Sequence, residues 1–90
     1  MSGGELTAFD TWPADSRLDC RGMRCPRPVV ELARAAARGG GELLLLADDP
    51  ATDVDVPAWC RMRGATLMAS GRDGSARWFR VLPAEDVSRA

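Results

Sequence analysis

Cys25 is the residue whose type and neighbours best suit covalent chemistry in this chain. It lies in the segment Arg24-Cys25-Pro26-Arg27, and a helix is predicted to begin at Pro26 because proline is favourable in the first turn. Cys25 is therefore expected at the helix N-cap, where backbone N–H groups and the helix dipole favour negative charge. Together with the flanking arginines, this position predicts a Cys25 pKa below the free value of about 8.5 and a nucleophilic thiolate.

The other two cysteines are predicted to have packing roles. Cys20 lies on a candidate strand and Cys60 follows Trp59 on a candidate helix, and free cysteines are among the most buried residues. One alternative stays open, in which Cys20 is a resolving thiol that forms a disulfide with Cys25. The chain has no histidine and no CxxC pair, so we expect no imidazole base, no metal site and no cofactor.

The elements that must position Cys25 alternate in type along the chain. Hydrophobic periodicity and turn residues predict strand, helix, strand, helix, strand and strand over 17–21, 26–38, 42–47, 51–63, 65–70 and 76–82. The apolar run in the second strand is typical of a strand buried in the middle of a sheet. Asp73-Gly74 favours a hairpin between the last two strands. Alternation of this kind predicts an α/β fold with a parallel pair and right-handed crossovers.

The two helices are each expected to bury one face. In the first helix the predicted face is Val29, Leu32, Ala33 and Ala36, and in the second it is Val54, Ala58 and Met62. The main part of the second helix is predicted to be capped by Asp55, with Pro57 in its first turn.

One face of the sheet is expected to stay open, because two short helices can cover only the other. Trp78 and Leu82 are candidates for the open face. Phe9 and Trp12 lie in an otherwise polar segment before Arg17, and they are predicted to fold back over part of that face. The alternative is that the face serves a partner or a second copy of the chain.

Composition limits the classes of partner and location. Ninety residues make one domain, with 46 % hydrophobic and 28 % charged residues and a net charge of −1. This balance favours neither direct nucleic-acid binding nor attachment to an anionic membrane. Residues 1–15 lack the basic start and apolar core of a signal peptide, and Leu43–Ala47 is too short an apolar run to span a bilayer. We expect a cytoplasmic protein with free thiols.

Two segments resemble a known family. Leu18-Asp19-Cys20-Arg21-Gly22-Met23-Arg24-Cys25-Pro26-Arg27-Pro28 resembles the signature of the TusA/SirA family of sulfur-transfer proteins, with its leucine–aspartate pair, glycine and Cys-Pro-x-Pro motif. The stretch 47–60, from Ala-Asp-Asp-Pro-Ala-Thr through Asp-Val-Pro-Ala-Trp-Cys, is similar to the family's second helix region. The resemblance covers about Arg17 to Val81.

The resemblance implies an architecture. It is a two-layer α/β sandwich of order β-α-β-α-β-β, with a four-stranded mixed sheet ordered 1-2-4-3 and two helices on one face. The domain would span 17–83, between a flexible N-terminal extension at 1–16 and a flexible tail at 84–90.

The resemblance also implies a function. Cys25 would accept a persulfide sulfur from a cysteine desulfurase or another sulfur donor, and the monomeric protein would relay it to an acceptor protein in a pathway such as tRNA thiolation. This is a sulfurtransferase-type reaction, governed by the logic of thiol exchange. The residues expected to support the active-site loop are Asp19, Gly22, Arg24, Pro26, Arg27 and Pro28. The alternatives are a thiol redox switch and a non-catalytic regulatory or protein-binding module.

Overall fold

A computed structural model describes residues 11–39 and 41–84 of the chain. After a short 3-10 turn at Ala14–Ser16, the elements are β1 (Arg17–Cys20), α1 (Arg27–Ala37), β2 (Leu43–Ala47), α2 (Thr52–Arg63), β3 (Thr66–Asp73) and β4 (Ala76–Leu82). The predicted order of strands and helices is confirmed. Across the described ranges, neither helix is long and apolar enough to cross a membrane.

The four strands form one mixed sheet with the order β1-β2-β4-β3. β1 and β2 are parallel, whereas β4 runs antiparallel to both β2 and β3. In the parallel pair, Cys20 lies opposite Ala47, so β1 and β2 end at the same level. The loops that leave these two strands are therefore neighbours at one edge of the sheet.

The main hydrophobic core lies between the helices and one face of the sheet. Leu32 of α1, Val56 of α2, and Leu45 and Val81 of the sheet are all fully buried there. This arrangement confirms a two-layer sandwich with both helices on the same face.

The predicted inner face of α2 is wrong. Val54 and Met62 are 69 % and 76 % exposed, and the buried residues of this helix are Thr52, Val56, Trp59 and Cys60. Both sets have helical spacing, and the set that contains Trp59 faces the core because an aromatic ring buries more apolar area than the alternative side chains.

The predicted cap of α2 is also wrong, although the helix begins within one residue of its predicted start. The helix is continuous from Thr52, with Ala51 at the N-cap and Pro57 in its interior, so Asp55 is a helical residue and not a cap. The interior proline removes one backbone donor. Because Asp55 is in the first turn of the helix, its side chain is available to the loops beside it.

The second face of the sheet carries a smaller apolar cluster. Leu44, Leu46, Ala76 and Trp78 are buried there, and Trp12 packs against them. Arg17 donates a hydrogen bond from its guanidinium to the Trp12 carbonyl at 3.3 Å. The prediction that Trp12 covers part of this face is confirmed, while Phe9 lies outside the described residues.

Candidate functional site

The loop between β1 and α1 carries Cys25. Gly22 turns this loop with a φ of 84°, a left-handed conformation that glycine adopts without a steric penalty. Two backbone hydrogen bonds close the turns, from the Met23 N–H to the Cys20 carbonyl at 3.2 Å and from the Arg27 N–H to the Arg24 carbonyl at 2.8 Å. The Cys25–Pro26 peptide bond is cis.

Cys25 lies just outside helix α1. The N-cap of α1 is Pro26, so the expected N-cap position of Cys25 is wrong by one residue. The dipole effect falls off within the first turn of a helix. The helix therefore acts on this thiol less directly than an N-cap position would allow.

Two aspartates from the β2–α2 loop hold the Cys25 loop in place. The Gly22 N–H donates to both carboxylate oxygens of Asp48, at 3.0 and 3.2 Å. The Cys25 N–H donates to Asp49 Oδ2 at 2.9 Å. These bonds join the two loops that leave the ends of the parallel strands β1 and β2.

Asp49 is itself fixed by helix α2. Its Oδ1 accepts a hydrogen bond from the Ala51 N–H at 3.0 Å, and its backbone carbonyl accepts one from the Thr52 hydroxyl at 2.6 Å. The backbone N–H groups of Cys25 and Ala51 lower the pKa of the Asp49 carboxyl. Asp49 is therefore ionised at neutral pH. One carboxylate oxygen accepts from the Cys25 loop, and the other accepts from the loop that leads into α2.

The surroundings of the Cys25 thiol are acidic. Burial is the largest cause that raises its pKa to about 11, followed by a hydrogen bond with the Asp55 side chain and the negative charges of Asp55 and Asp49. The predicted lowering of the Cys25 pKa is therefore wrong. The side chain is a thiol at neutral pH, and it lies beside a carboxylate that can accept its proton.

The two flanking arginines do not offset this acidity. Arg24 and Arg27 are both exposed, and water and salt screen charges in such positions. Arg24 instead contributes to lowering the pKa of Asp49. Their proximity in sequence is thus a poor guide to their effect on the thiol.

The remaining predicted loop residues occupy two kinds of position. Asp19 is exposed on β1 and accepts hydrogen bonds from Arg21, from Nε at 2.9 Å and from Nη2 at 2.8 Å, and these bonds lower the pKa of Asp19. Pro28 is buried in the first turn of α1, whereas Pro26 is exposed at the N-cap. Asp19 therefore holds the side chain of Arg21 by hydrogen bonds. Pro28 packs the first turn of α1 against the core.

A pocket of about 330 Å³ lies beside the Cys25 loop. Its lining residues come from the two loops joined by the aspartates, and they are Gly22, Met23, Arg24, Asp48, Asp49 and Pro50. The pocket is formed by both loops together.

The other cysteines are part of the core. Cys20 and Cys60 are 1 % and 3 % exposed, and burial raises the pKa of Cys20 to about 11 and also raises that of Cys60. All three cysteines are free thiols. In the part of the chain that the structure describes, no group of three His, Cys, Asp or Glu side chains could hold a metal ion.

Sequence reasoning missed the three aspartates that surround Cys25. The predicted elements leave Asp48 and Asp49 between a strand and a helix and make Asp55 a helix cap, although all three fall within the second segment of family resemblance. The predicted parallel pairing of the first two strands was a usable signal. It places the loops after those strands at one edge of the sheet, where α/β proteins commonly bind ligands.

The fold and the site agree with one comparison. A family model described as Sulfurtransferase TusA matches residues 16–82 of the 90-residue chain. The match includes the Cys25 loop, the aspartates of the β2–α2 loop and all four strands. The chain therefore belongs to the TusA family of sulfurtransferases.

Proposed function

We propose that this protein is a sulfur carrier that holds a persulfide on Cys25. It accepts the sulfur from a cysteine desulfurase or another sulfur donor protein and passes it to an acceptor protein, in a pathway such as tRNA thiolation. Membership of the TusA family supports the sulfur-carrier role in general, and the residue and the partners are the finer parts of the proposal.

The observation that carries the choice of Cys25 is its accessibility. It is half-buried on a loop, while Cys20 and Cys60 lie in the core. A partner protein must bring a second sulfur to within bonding distance, and only an accessible thiol can meet it. The short loop, held by the hydrogen bonds to Asp48 and Asp49, presents this thiol in one fixed place.

The transfer step is a thiol exchange with a balanced set of bonds. Cys25 loses its proton and its sulfur attacks the terminal sulfur of the donor's cysteine persulfide. The donor's sulfur–sulfur bond breaks, the donor cysteine leaves as a thiolate that takes a proton, and a persulfide forms on Cys25. The Cys25 sulfur is oxidised as the donor cysteine is reduced, so no external oxidant is needed. In delivery, an acceptor cysteine attacks the terminal sulfur of the Cys25 persulfide. The sulfur–sulfur bond on Cys25 breaks, and Cys25 leaves as a thiolate that takes a proton.

Asp55 is placed to accept the proton in this step. The negative charge of Asp55 is one of the causes that raise the pKa of the Cys25 thiol, which makes Asp55 the candidate to take the proton as the sulfur attacks. Because the pKa of Cys25 is raised to about 11, the side chain is almost entirely in the thiol form at pH 7. The resting carrier would thus be protected from small oxidants, which react with thiolates.

The proposal includes a cellular setting and a set of partners. The protein would act as a monomer in the cytoplasm, where reducing conditions keep the three thiols free. Its partners would be proteins, because the near-zero net charge of −1 gives no attraction for a nucleic acid.

The test is sulfur loading of the purified protein. Incubated with a cysteine desulfurase and cysteine, the protein should gain one sulfur atom on Cys25, measured by mass spectrometry of the intact chain and of its peptides. Cys25→Ser should abolish the gain, because serine cannot form a persulfide. Cys60→Ser is the matched control and should load as the unmodified protein does, since Cys60 is buried.

Two outcomes would favour the other functions. Sulfur on another residue of a folded Cys25→Ser protein would refute the carrier role of Cys25. A Cys20–Cys25 disulfide as the main product of mild peroxide treatment would favour a redox switch. Once loading is established, acceptor proteins can be identified as mixed disulfides trapped on Cys25.

A further inference from the structure

A buried arginine, Arg77, is connected by hydrogen bonds to the loop that holds Cys25 in place. Arg77 of β4 is 8 % exposed, and it pairs with Ala47, the last residue of β2. Buried arginines require partners for their charge and for their five N–H donors. The partners of Arg77 therefore indicate what this residue does.

The guanidinium of Arg77 donates hydrogen bonds to Asp48 and to Asp53, which lie at the two ends of the segment 48–53 that holds the Cys25 loop. Its Nε donates to Asp53 Oδ1 at 2.9 Å, which fixes the first turn of α2. Its Nη1 donates to the backbone carbonyl of Asp48 at 3.4 Å and to that of Ser75 at 3.1 Å. The β2–α2 loop is thus attached to strand β4 through one side chain.

Asp48 and Asp49 lie between Arg77 and the thiol. Arg77 holds the backbone of Asp48, the side chain of Asp48 accepts from Gly22, and the side chain of Asp49 accepts from Cys25. The positive charge of Arg77 also contributes to lowering the pKa of Asp49. A rigid planar guanidinium with several fixed donors suits this role better than a flexible ammonium group.

We propose that Arg77 is a positioning residue for Cys25, which it places by fixing the two aspartates that hold the Cys25 loop. The hydrogen bonds of Arg77 go to Asp53, Asp48 and Ser75, and none of them goes to Cys25. The proposal rests on the proposed function, because positioning of Cys25 matters for sulfur transfer only if Cys25 carries the sulfur.

The test measures the loop in the free protein, without any sulfur donor. Arg77→Gln removes the charge and the Asp53 pair while keeping an unbranched, polar side chain. We expect backbone amide exchange at Gly22 and Cys25 to become about tenfold faster, because their aspartate acceptors are no longer fixed. Exchange at Leu45, in the centre of the sheet, should change by less than about threefold. Nuclear magnetic resonance with exchange into deuterated water reports these sites separately.

The chain offers a matched control on the same strand. Arg80 of β4 donates from Nε to Glu42 Oε2 at 2.6 Å, on the opposite face of the sheet. Arg80→Gln removes a comparable ion pair and should leave exchange at Gly22 and Cys25 unchanged. Arg77→Lys should give an intermediate acceleration, because lysine keeps the charge but not the fork of donors.

Alkylation adds a readout that a purely structural role would not move. In Arg77→Gln, the dependence of Cys25 alkylation on pH should differ from that of the unmodified protein, because Asp48 and Asp49 no longer hold the Cys25 loop in the same position. In Arg80→Gln it should stay where it is in the unmodified protein.

The proposal is overturned if folded Arg77→Gln keeps the exchange rates of Gly22 and Cys25. If Arg77→Gln does not fold, Asp53→Asn decides the matter, since Asp53 is partly exposed and its loss removes the pair that orients Arg77. Unchanged exchange at both amides in Asp53→Asn then overturns the proposal. A failure of sulfur loading would instead refute the carrier function and leave the exchange result standing.

Discussion

At the scale of single residues, the chemistry of Cys25 depends on carboxylates more than on arginines. Burial and Asp55 keep the thiol protonated, with a pKa of about 11, although two arginines flank Cys25 in the sequence. Water weakens the exposed charges of the arginines more than the partly buried charge of the Asp55 carboxylate. The site therefore combines a protonated Cys25 thiol with the Asp55 carboxylate as a candidate base.

The acidity of Cys25 can be tested with Asp55→Asn. A raised pKa means that the thiolate fraction, and with it the rate of alkylation by iodoacetamide, rises about tenfold for each unit between pH 7 and 10. Removing the negative charge of Asp55 lowers the cost of forming a thiolate, so the curve should move to lower pH. Alkylation of Cys25 at pH 7 should then be several-fold faster, measured by peptide mass spectrometry over a pH series.

Asp73→Asn is the control for this change. It removes the same charge at the end of β3, which leads into the β3–β4 hairpin, and should leave the Cys25 curve in place. An unmoved curve in Asp55→Asn would contradict the role given to Asp55, as would faster alkylation of Cys20 or Cys60 than of Cys25 in the unmodified protein.

At the scale of elements, the site is made by two loops that a parallel strand pair brings together. The Cys25 loop depends on the left-handed conformation of Gly22, whose N–H also bonds to Asp48. A side chain at Gly22 would meet no atom within 4 Å. Any effect of a substitution there therefore comes from the backbone conformation and not from a clash.

Gly22→Ala should destabilise the fold and disturb the thiol together. A left-handed alanine costs about 1–2 kcal/mol of free energy of unfolding, and relief of that strain would pull the Gly22 N–H away from Asp48. We expect a lower denaturation midpoint in urea and a changed rate of Cys25 alkylation.

Gly39→Ala separates the two effects. Gly39 has a nearly identical φ of 85° and equally open surroundings, but it follows the end of helix α1. It should lose a similar free energy of unfolding and keep the alkylation rate of Cys25. Equal alkylation rates in both variants would mean that Gly22 serves the fold alone.

At the scale of the whole molecule, the sheet has two covered faces of different kinds. The helices cover one face, and Trp12 covers part of the other through contacts with the cluster of Leu44, Leu46, Ala76 and Trp78. The bond from Arg17 to the Trp12 carbonyl holds this residue next to the start of β1. Trp12 thus lies on the opposite face of the sheet from the helices.

Trp12→Ala should lower stability without changing the site. Exposing the apolar surface under Trp12 should cost about 1.5–3 kcal/mol, seen as a melting temperature lower by several degrees. Sulfur loading of Cys25 should be unchanged. Met62→Ala is the control, because Met62 is 76 % exposed and its loss should have little effect on melting. A Trp12→Ala protein that melts as the unmodified protein does would show that the second face needs no cover.

Local sequence determined most of the architecture. The apolar run of β2, the glycines and prolines at the element ends, and the Asp73-Gly74 hairpin are short-range signals, and they were sufficient for the order of elements. The order of the strands within the sheet came from the family resemblance, whereas the residues around Cys25 were enough to single it out. The alternation of side chains along β4 places Phe79 and Val81 on the helix face and Trp78 on the face that Trp12 covers.

Only the tertiary structure decided the chemistry around Cys25. The Cys25 N–H donates to Asp49, 24 residues away in the chain. Asp55, whose charge raises the pKa of the thiol, belongs to helix α2. Two sets of residues in this helix have the spacing of a buried face. Periodicity cannot choose between such faces, and the charges next to a residue in sequence are not those next to it in space. The packing of Trp59 into the core settled the rotation of α2, and with it the acidity of the thiol.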